Sequence, residues 1–255
     1  MTRALNLLAP ALLVALLLAA WETAVRALQV PPYILPGPSL IFAALIDNAA
    51  ILAASAWTTL SMALWALAIA SACALAIALL IALSPLAESA VRPVAVALQV
   101  TPIVAIAPLV NIWAGLDHPE RAVIGLAAVV AFFPIFSGAI TGLRSADPDL
   151  ERLFDLYGAG RFQRLLRLRL PASVPFLLEG HKVAAGLAVI GAVVAEFVSG
   201  SGGSKGLAWR LLEAANRLQT AKMFAALLIL GLMGVLANAL FQALELWALK
   251  RWRGR

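Results

Sequence analysis

Six long apolar runs dominate this chain and restrict it to one class of fold. They cover residues 4–27, 58–83, 93–114, 122–143, 174–198 and 221–248. Each run is long enough to cross a hydrocarbon layer about 30 Å thick as a helix of about 20 residues. The runs do not alternate apolar and polar residues as the strands of a membrane barrel do. The sequence therefore predicts an all-α polytopic membrane protein with six transmembrane helices.

The composition agrees with this class. The chain is 63% hydrophobic and 13% charged over 255 residues, whereas soluble domains are near half apolar and a quarter charged. We expect one membrane domain over residues 1–255 with its core at about 58–248. The first apolar run is interpreted as the first span rather than as a cleaved signal peptide.

The Lys and Arg residues indicate the orientation. With both termini inside, thirteen of them lie on the cytoplasmic side: Arg3, Arg92, Arg144, Arg152, Arg161, Arg164, Arg167, Arg169, Lys182, Lys250, Arg251, Arg253 and Arg255. Six lie on the outer side: Arg26, Arg121, Lys205, Arg210, Arg217 and Lys222. This asymmetry follows the positive-inside rule. Because the basic residues flank the spans, the net charge of +6 does not indicate nucleic-acid binding.

A polar, Arg-rich loop at residues 145–172 interrupts the apolar pattern and is predicted to hold two short helices. In its first half, Leu150, Leu153, Phe154 and Tyr157 form one apolar helical stripe. Asp147 is a candidate N-cap, Pro148 and the acids Asp149 and Glu151 suit the first turn, and Gly158 suits a left-handed stop. In the second half, Phe162, Leu165 and Leu166 lie among Arg161, Arg164 and Arg167, and Pro171 is expected to close the unit. Such a surface is built to dock into a partner.

The third span carries the polar residues that are candidates for a transport path. Gln99, Thr101 and Asn111 lie beside Pro102 and Pro108, and two prolines in one span should kink the helix. Kinks of this kind are tolerated where a helix borders protein or a water-filled cavity. The alternative is that these polar side chains only hydrogen-bond neighbouring helices.

The fifth span adds close packing and the only acid of the second to fifth spans that lies clear of the cytoplasmic junction. Gly180, Gly186 and Gly191 are small residues that allow helices to approach closely, and Gly186 and Gly191 are expected behind the path. Glu196 lies near the outer end of this span. An acid inside a membrane suggests a function, here a place on the path, but a paired structural role is equally compatible with its position.

Catalytic and metal sites are not expected in this chain. Its only cysteine is Cys73, its two histidines map to opposite faces of the membrane, and the common catalytic motifs are absent from the sequence. The segment from Gly200 to Lys205 lacks the Gly-Lys-Ser/Thr order of a phosphate-binding loop, so ATP hydrolysis is not expected here. The second to fourth spans contain no charged residue, which argues against a proton-driven carrier.

Three segments together resemble the membrane permeases of type I ABC importers, in particular those for nitrate, alkanesulfonates and taurine. They are LPGPS at 35–39, GAGRFQ at 158–163 and GLAVIGAVVAEFVSGSGG at 186–203. Related permeases carry thiamine-pyrimidine precursors or riboflavin. The family pattern has Glu-Ala-Ala where this chain has Arg152, Leu153 and Phe154, so the acid at Glu151 comes one residue early.

The resemblance implies the type I ABC importer permease fold and a set of partners. Two copies of the permease would pair in the bacterial inner membrane. Two cytoplasmic ATPase subunits, which bind ATP and Mg²⁺, would grip the coupling loops, and a periplasmic or lipid-anchored binding protein would deliver the solute. The ATPase-coupling residues would be Glu151, Leu153, Phe154, Tyr157, Gly158, Ala159, Arg161 and Pro171. A self-contained secondary carrier or channel is the alternative, and an ATPase and a binding protein found with the chain would argue against it.

Overall fold

In the computed structural model, which describes residues 2–115, 117–199 and 205–253, the regular structure is helical throughout the described chain. The helices are α1 (Thr2–Ala27), α2 (Pro38–Asp47), α3 (Ala49–Leu83), α4 (Pro85–Val100), α5 (Ile103–Ala114), α6 (Pro119–Leu143), α7 (Pro148–Leu156), α8 (Arg161–Arg164), α9 (Leu170–Ser199), α10 (Leu207–Asn216) and α11 (Thr220–Arg253). A π-helical turn, Leu165–Arg169, joins α8 to α9. The prediction of an all-α polytopic protein is confirmed.

Five helical stretches in the described chain are long and apolar enough to cross a membrane. They are Ala9–Ala27, Ala49–Leu83, Pro119–Leu143, Arg161–Ser199 and Thr220–Arg251. They correspond to five of the six predicted spans. The remaining one, over 93–114, was predicted as a single kinked helix, which is wrong: α4 ends at Val100 and α5 begins at Ile103. Pro102 has extended backbone angles of φ −68° and ψ 112° and therefore ends the helical path.

The chain divides into two compact units, and the first consists of residues 1–57 and 205–231. Within it, Glu22 of α1 closes the N-terminus of α2. Its carboxylate accepts hydrogen bonds from the backbone N–H of Ser39 at 3.0 Å and from the Ser39 hydroxyl at 2.7 Å. Gly37 leaves room for that carboxylate, because an added Cβ would lie 2.7 Å from Glu22 Oε2. The last two residues of the LPGPS segment therefore begin α2, and an acid from α1 caps this end of the helix.

The second unit consists of residues 58–204 and 232–255, and the pair α6–α9 forms its centre. Small residues line this contact from end to end. A Cβ added to Gly138 would lie 2.6 Å from the carbonyl oxygen of Phe176, and one added to Gly180 would lie 2.7 Å from that of Pro134. Gly191 approaches the Cα of Ala127 in the same way, as predicted for a close contact. Gly186 does not: nothing among the described atoms lies within 4 Å of its would-be Cβ, so that prediction is wrong.

Candidate functional site

The loop over residues 145–172 begins with a helix whose two ends are well defined. Asp147 caps α7 by accepting a hydrogen bond from the N–H of Asp149 at 2.8 Å, and Pro148 is its first residue. The helix stops at Gly158, which has a φ of +62°. Two hydrogen bonds close this end, from Ala159 N–H to Phe154 O at 2.9 Å and from Gly158 N–H to Asp155 O at 3.0 Å. The predicted N-cap and the predicted left-handed glycine are therefore both found.

Most of the apolar stripe of α7 is exposed. Leu150 and Leu153 are exposed, and Tyr157 is 81% exposed, while Phe154 is half-buried. Leu156 is 85% exposed and was not predicted as part of this surface, because it lies outside the helical stripe. Phe162 and Leu166 extend the apolar surface beyond Gly158. We call the exposed residues Leu153, Leu156, Tyr157 and Phe162 the coupling surface.

The second half of the loop differs from the prediction at Pro171. This proline does not close the unit but lies in the first turn of α9, and the helix continues from Arg161 to Ser199. The π-helical turn accommodates it. In this turn the N–H of Leu170 bonds to Leu165 O, five residues back instead of four. The regular α-helical hydrogen bonding is therefore already interrupted just before Pro171, which has no N–H to donate. Leu165 and Leu168 of this turn are buried, and Leu165 lies in a cluster with Ala78, Ala139 and Leu143.

Four charged side chains join α7 to α8 and to the π-helical turn that precedes α9. Glu151 Oε1 accepts from Arg169 Nε at 2.7 Å, and Glu151 Oε2 pairs with Arg164 Nη1 at 3.2 Å. Arg164 also pairs with Asp155. Glu151 and Arg164 are each only 21% exposed at the side chain. Arg161 is exposed, and Ala159, the residue after Gly158, is half-buried.

The polar residues predicted for a path make contacts within and between helices. Thr101 donates its hydroxyl to Ala97 O at 2.8 Å. Asn111 Oδ1 accepts from Ser199 Oγ at 3.1 Å, which links α5 to α9. Glu196 is only 3% exposed and accepts from Thr59 Oγ1 at 3.0 Å. The side chain of Gln99 lies outside the described residues, as does the segment 200–204. Contacts of this kind join membrane helices, and the place of these residues on a path stays a prediction.

A charged cluster in the fifth span was not foreseen. Lys182 of α9 pairs with Glu179 at 2.8 Å and with Glu245 of α11 at 3.2 Å. From the sequence, Lys182 is predicted only as one of the cytoplasmic basic residues. An ionisable side chain within a long apolar helix could have signalled a partner on another helix. Among the described residues, His, Cys, Asp and Glu do not form a group of three or more that could hold a metal ion.

Comparisons with known proteins agree with the resemblance to ABC importer permeases. A family model described as "Binding-protein-dependent transport system inner membrane component" matches residues 74–253. A probable ABC transporter permease of Haemophilus influenzae is 33% identical over 226 residues, covering 89% of this chain and 90% of that protein. The formylaminopyrimidine transport permease protein ThiX of Halalkalibacterium halodurans is 31% identical over 246 residues, covering 96% of each. The riboflavin transport system permease protein RibX of Chloroflexus aurantiacus is 34% identical over 238 residues, covering 91% of this chain and 87% of that protein.

Proposed function

Since the chain belongs to the family of binding-protein-dependent transport system inner membrane components, we propose that it is the permease subunit of an ATP-driven importer of a small solute. Permeases of this family carry no ATPase site of their own, and ATP hydrolysis takes place in a separate subunit. In this proposal two copies of the chain pair in the bacterial inner membrane with both termini in the cytoplasm, as the thirteen-to-six distribution of Lys and Arg favours. A periplasmic or lipid-anchored binding protein delivers the solute from the other side.

The coupling surface is the observation that carries the proposal. Leu153 and Leu156 lie on a short helix whose two ends are fixed, Tyr157 follows as its C-cap, and all three side chains are exposed. Apolar side chains on a charged loop are costly in water and are typical of a surface that a partner covers. We propose that each of two ATPase subunits receives one such helix in a groove and moves it when ATP binds and is hydrolysed.

The solute belongs to the range that related permeases carry. Relatives are described as permeases for formylaminopyrimidine, riboflavin, aliphatic sulfonates and nitrate. We therefore propose a small anion or a small nitrogen heterocycle as the solute. The ligand that the associated binding protein holds when it is purified would identify it.

Reconstitution tests the proposed function directly. The chain, its ATPase and its binding protein are placed in proteoliposomes, and uptake of the solute is measured with each component left out in turn. Uptake should require ATP, the ATPase and the binding protein together. Uptake by the chain alone, driven by an ion or solute gradient, would instead support the secondary carrier or channel.

The conformation of Gly158 leads to a first prediction. Gly158→Val should reduce ATP-dependent uptake severely while the protein still inserts into the membrane. The cause is the backbone, because a side chain at φ +62° costs about 1–2 kcal/mol, and the new Cβ meets no other described atom within 4 Å. Gly160→Val is the matched control, since Gly160 has a φ of −66° and equally open surroundings. Equal uptake by the two variants would contradict the argument.

The place of the path gives a second prediction. In a background with Cys73 replaced, cysteines at positions 99, 101 and 111 should react with a small water-soluble thiol reagent, at rates that change when ATP is added. A polar solute needs a hydrated wall, and all three positions hold polar residues: 99 and 101 lie beside the break between α4 and α5, and 111 lies in the last turn of α5. A cysteine at Leu16, an exposed residue of α1, serves as the lipid-facing control. Inert cysteines at 99, 101 and 111 beside a reactive one at 16 would exclude this path.

A further inference from the structure

One acid of the coupling loop makes its contacts inside the chain rather than toward a partner. The family resemblance places Glu151 among the residues that contact the ATPase. In the structure, its two carboxylate oxygens are instead occupied by Arg169, at 2.7 Å, and Arg164, at 3.2 Å. Its side chain is 21% exposed, so little of the carboxylate remains for another protein.

The π-helical turn makes this double contact possible. Arg164 immediately precedes the turn and Arg169 is its last residue. In an α-helix, residues five apart point about 140° away from each other around the axis. In a turn bonded five residues back, as Leu170 N–H is to Leu165 O, residues five apart lie on the same side of the helix instead. One carboxylate can therefore hold both arginines, and the turn has a role that the presence of Pro171 alone does not explain.

We propose that Glu151 is a positioning residue that ties α7 to both ends of the π-helical turn, so that a displacement of α7 is passed to the transmembrane helix α9. Asp155 holds Arg164 from the same helix and completes the link. The chain that connects α7 to α8 runs through Gly158, Ala159 and Gly160, whose two glycines make it easy to bend, so the ion pairs add a stiffer connection. The inference rests on the proposed function, because the displacement is assigned to the ATPase.

The test separates transmission of movement from binding. Glu151→Gln, Arg169→Gln and the double variant are compared in the reconstituted transporter by the amount of solute moved per ATP hydrolysed. Each single variant should lower this ratio about fivefold or more, the range of an ordinary coupling between sites. The ATPase should still co-purify and hydrolyse ATP. The double variant should be no worse than Glu151→Gln alone, because that substitution already removes the interaction with Arg169.

A matched ion pair on the same helix provides the control. Arg152 and Asp149 of α7 are 3.1 Å apart and largely exposed, and exposed pairs contribute little. Asp149→Asn and Arg152→Gln should leave the ratio near that of the wild type.

Several results would overturn the inference. They are an unchanged ratio, additive losses in the double variant, or loss of the ATPase from complexes with Glu151→Gln, which would make Glu151 a direct contact. Failure of all three variants to fold would make the cluster merely structural and would also count against it. If the wild-type transporter shows no ATP-dependent uptake, it is the proposed function that fails.

Discussion

Replacing Leu153 and Tyr157 together with aspartate should reduce ATP-dependent uptake to background while the permease remains folded in the membrane. Leu153 of α7 and Tyr157, the C-cap of that helix, lie four positions apart on one face, and both are exposed. Two carboxylates at the centre of an apolar contact would have to be buried without partners, which costs several kcal/mol. Co-purification of the ATPase with the variant, and uptake in proteoliposomes, measure the effect.

The choice of residues matters for this experiment. Phe154 belongs to the same stripe, but it is half-buried, so Phe154→Asp would disturb the loop itself as well as a docking contact. Arg152→Asp is the control, because Arg152 is an exposed polar residue of the same helix. If the double variant binds its ATPase and transports like the control, the coupling surface does not dock.

Local patterns in the sequence predicted the ends of α7, but they could not predict its contacts. The cap at Asp147 and the stop at Gly158 depend on neighbouring residues and were correct. The contact between Glu151 and Arg169 depends on the π-helical turn, which was not foreseen because Pro171 was interpreted as a stop. Since the second helix of the loop was predicted to end at Pro171, Arg169 could not be placed beside α7.

The break in the predicted third span could not be predicted from local sequence patterns either. Pro102 and Pro108 lie six residues apart and were expected to kink one helix. Pro108 does lie inside α5, whereas Pro102 stands before its first residue and separates it from α4. A proline inside a helix and a proline that begins a new one leave similar local signals, and the surrounding packing decides between them.

The sequence predicted that the fifth span packs closely against another helix, but it did not predict which residues are in contact. Small residues on the fifth span indicated a close approach, and Gly180 and Gly191 make one. Their partners on α6, which are Gly138 for Gly180 and Ala127 for Gly191, could not be predicted, because neither helix alone determines the register between the two. Gly186 lies on the same helix with open space around it.

This difference between two glycines of α9 leads to the last prediction, in which the same substitution has opposite effects. Gly180→Ala should lower the thermal stability of the detergent-solubilised protein or prevent its folding. Its Cβ would lie 2.7 Å from the carbonyl oxygen of Pro134 and 3.3 Å from the Cα of Ile135, so the backbones of α6 and α9 would have to separate. Such overpacking costs about 1–3 kcal/mol or more.

Gly186→Ala should instead leave stability unchanged or raise it. The added methyl group meets no described atom within 4 Å, and alanine is favoured over glycine inside a helix by about 1 kcal/mol. The two variants change the same helix by the same atoms, so a general effect of alanine on membrane insertion cancels between them. Gly138→Ala should behave like Gly180→Ala, because it meets Phe176 O at 2.6 Å from the other side of the contact. Equal melting temperatures for the Gly180 and Gly186 variants would mean that α6 and α9 do not pack at the distance described.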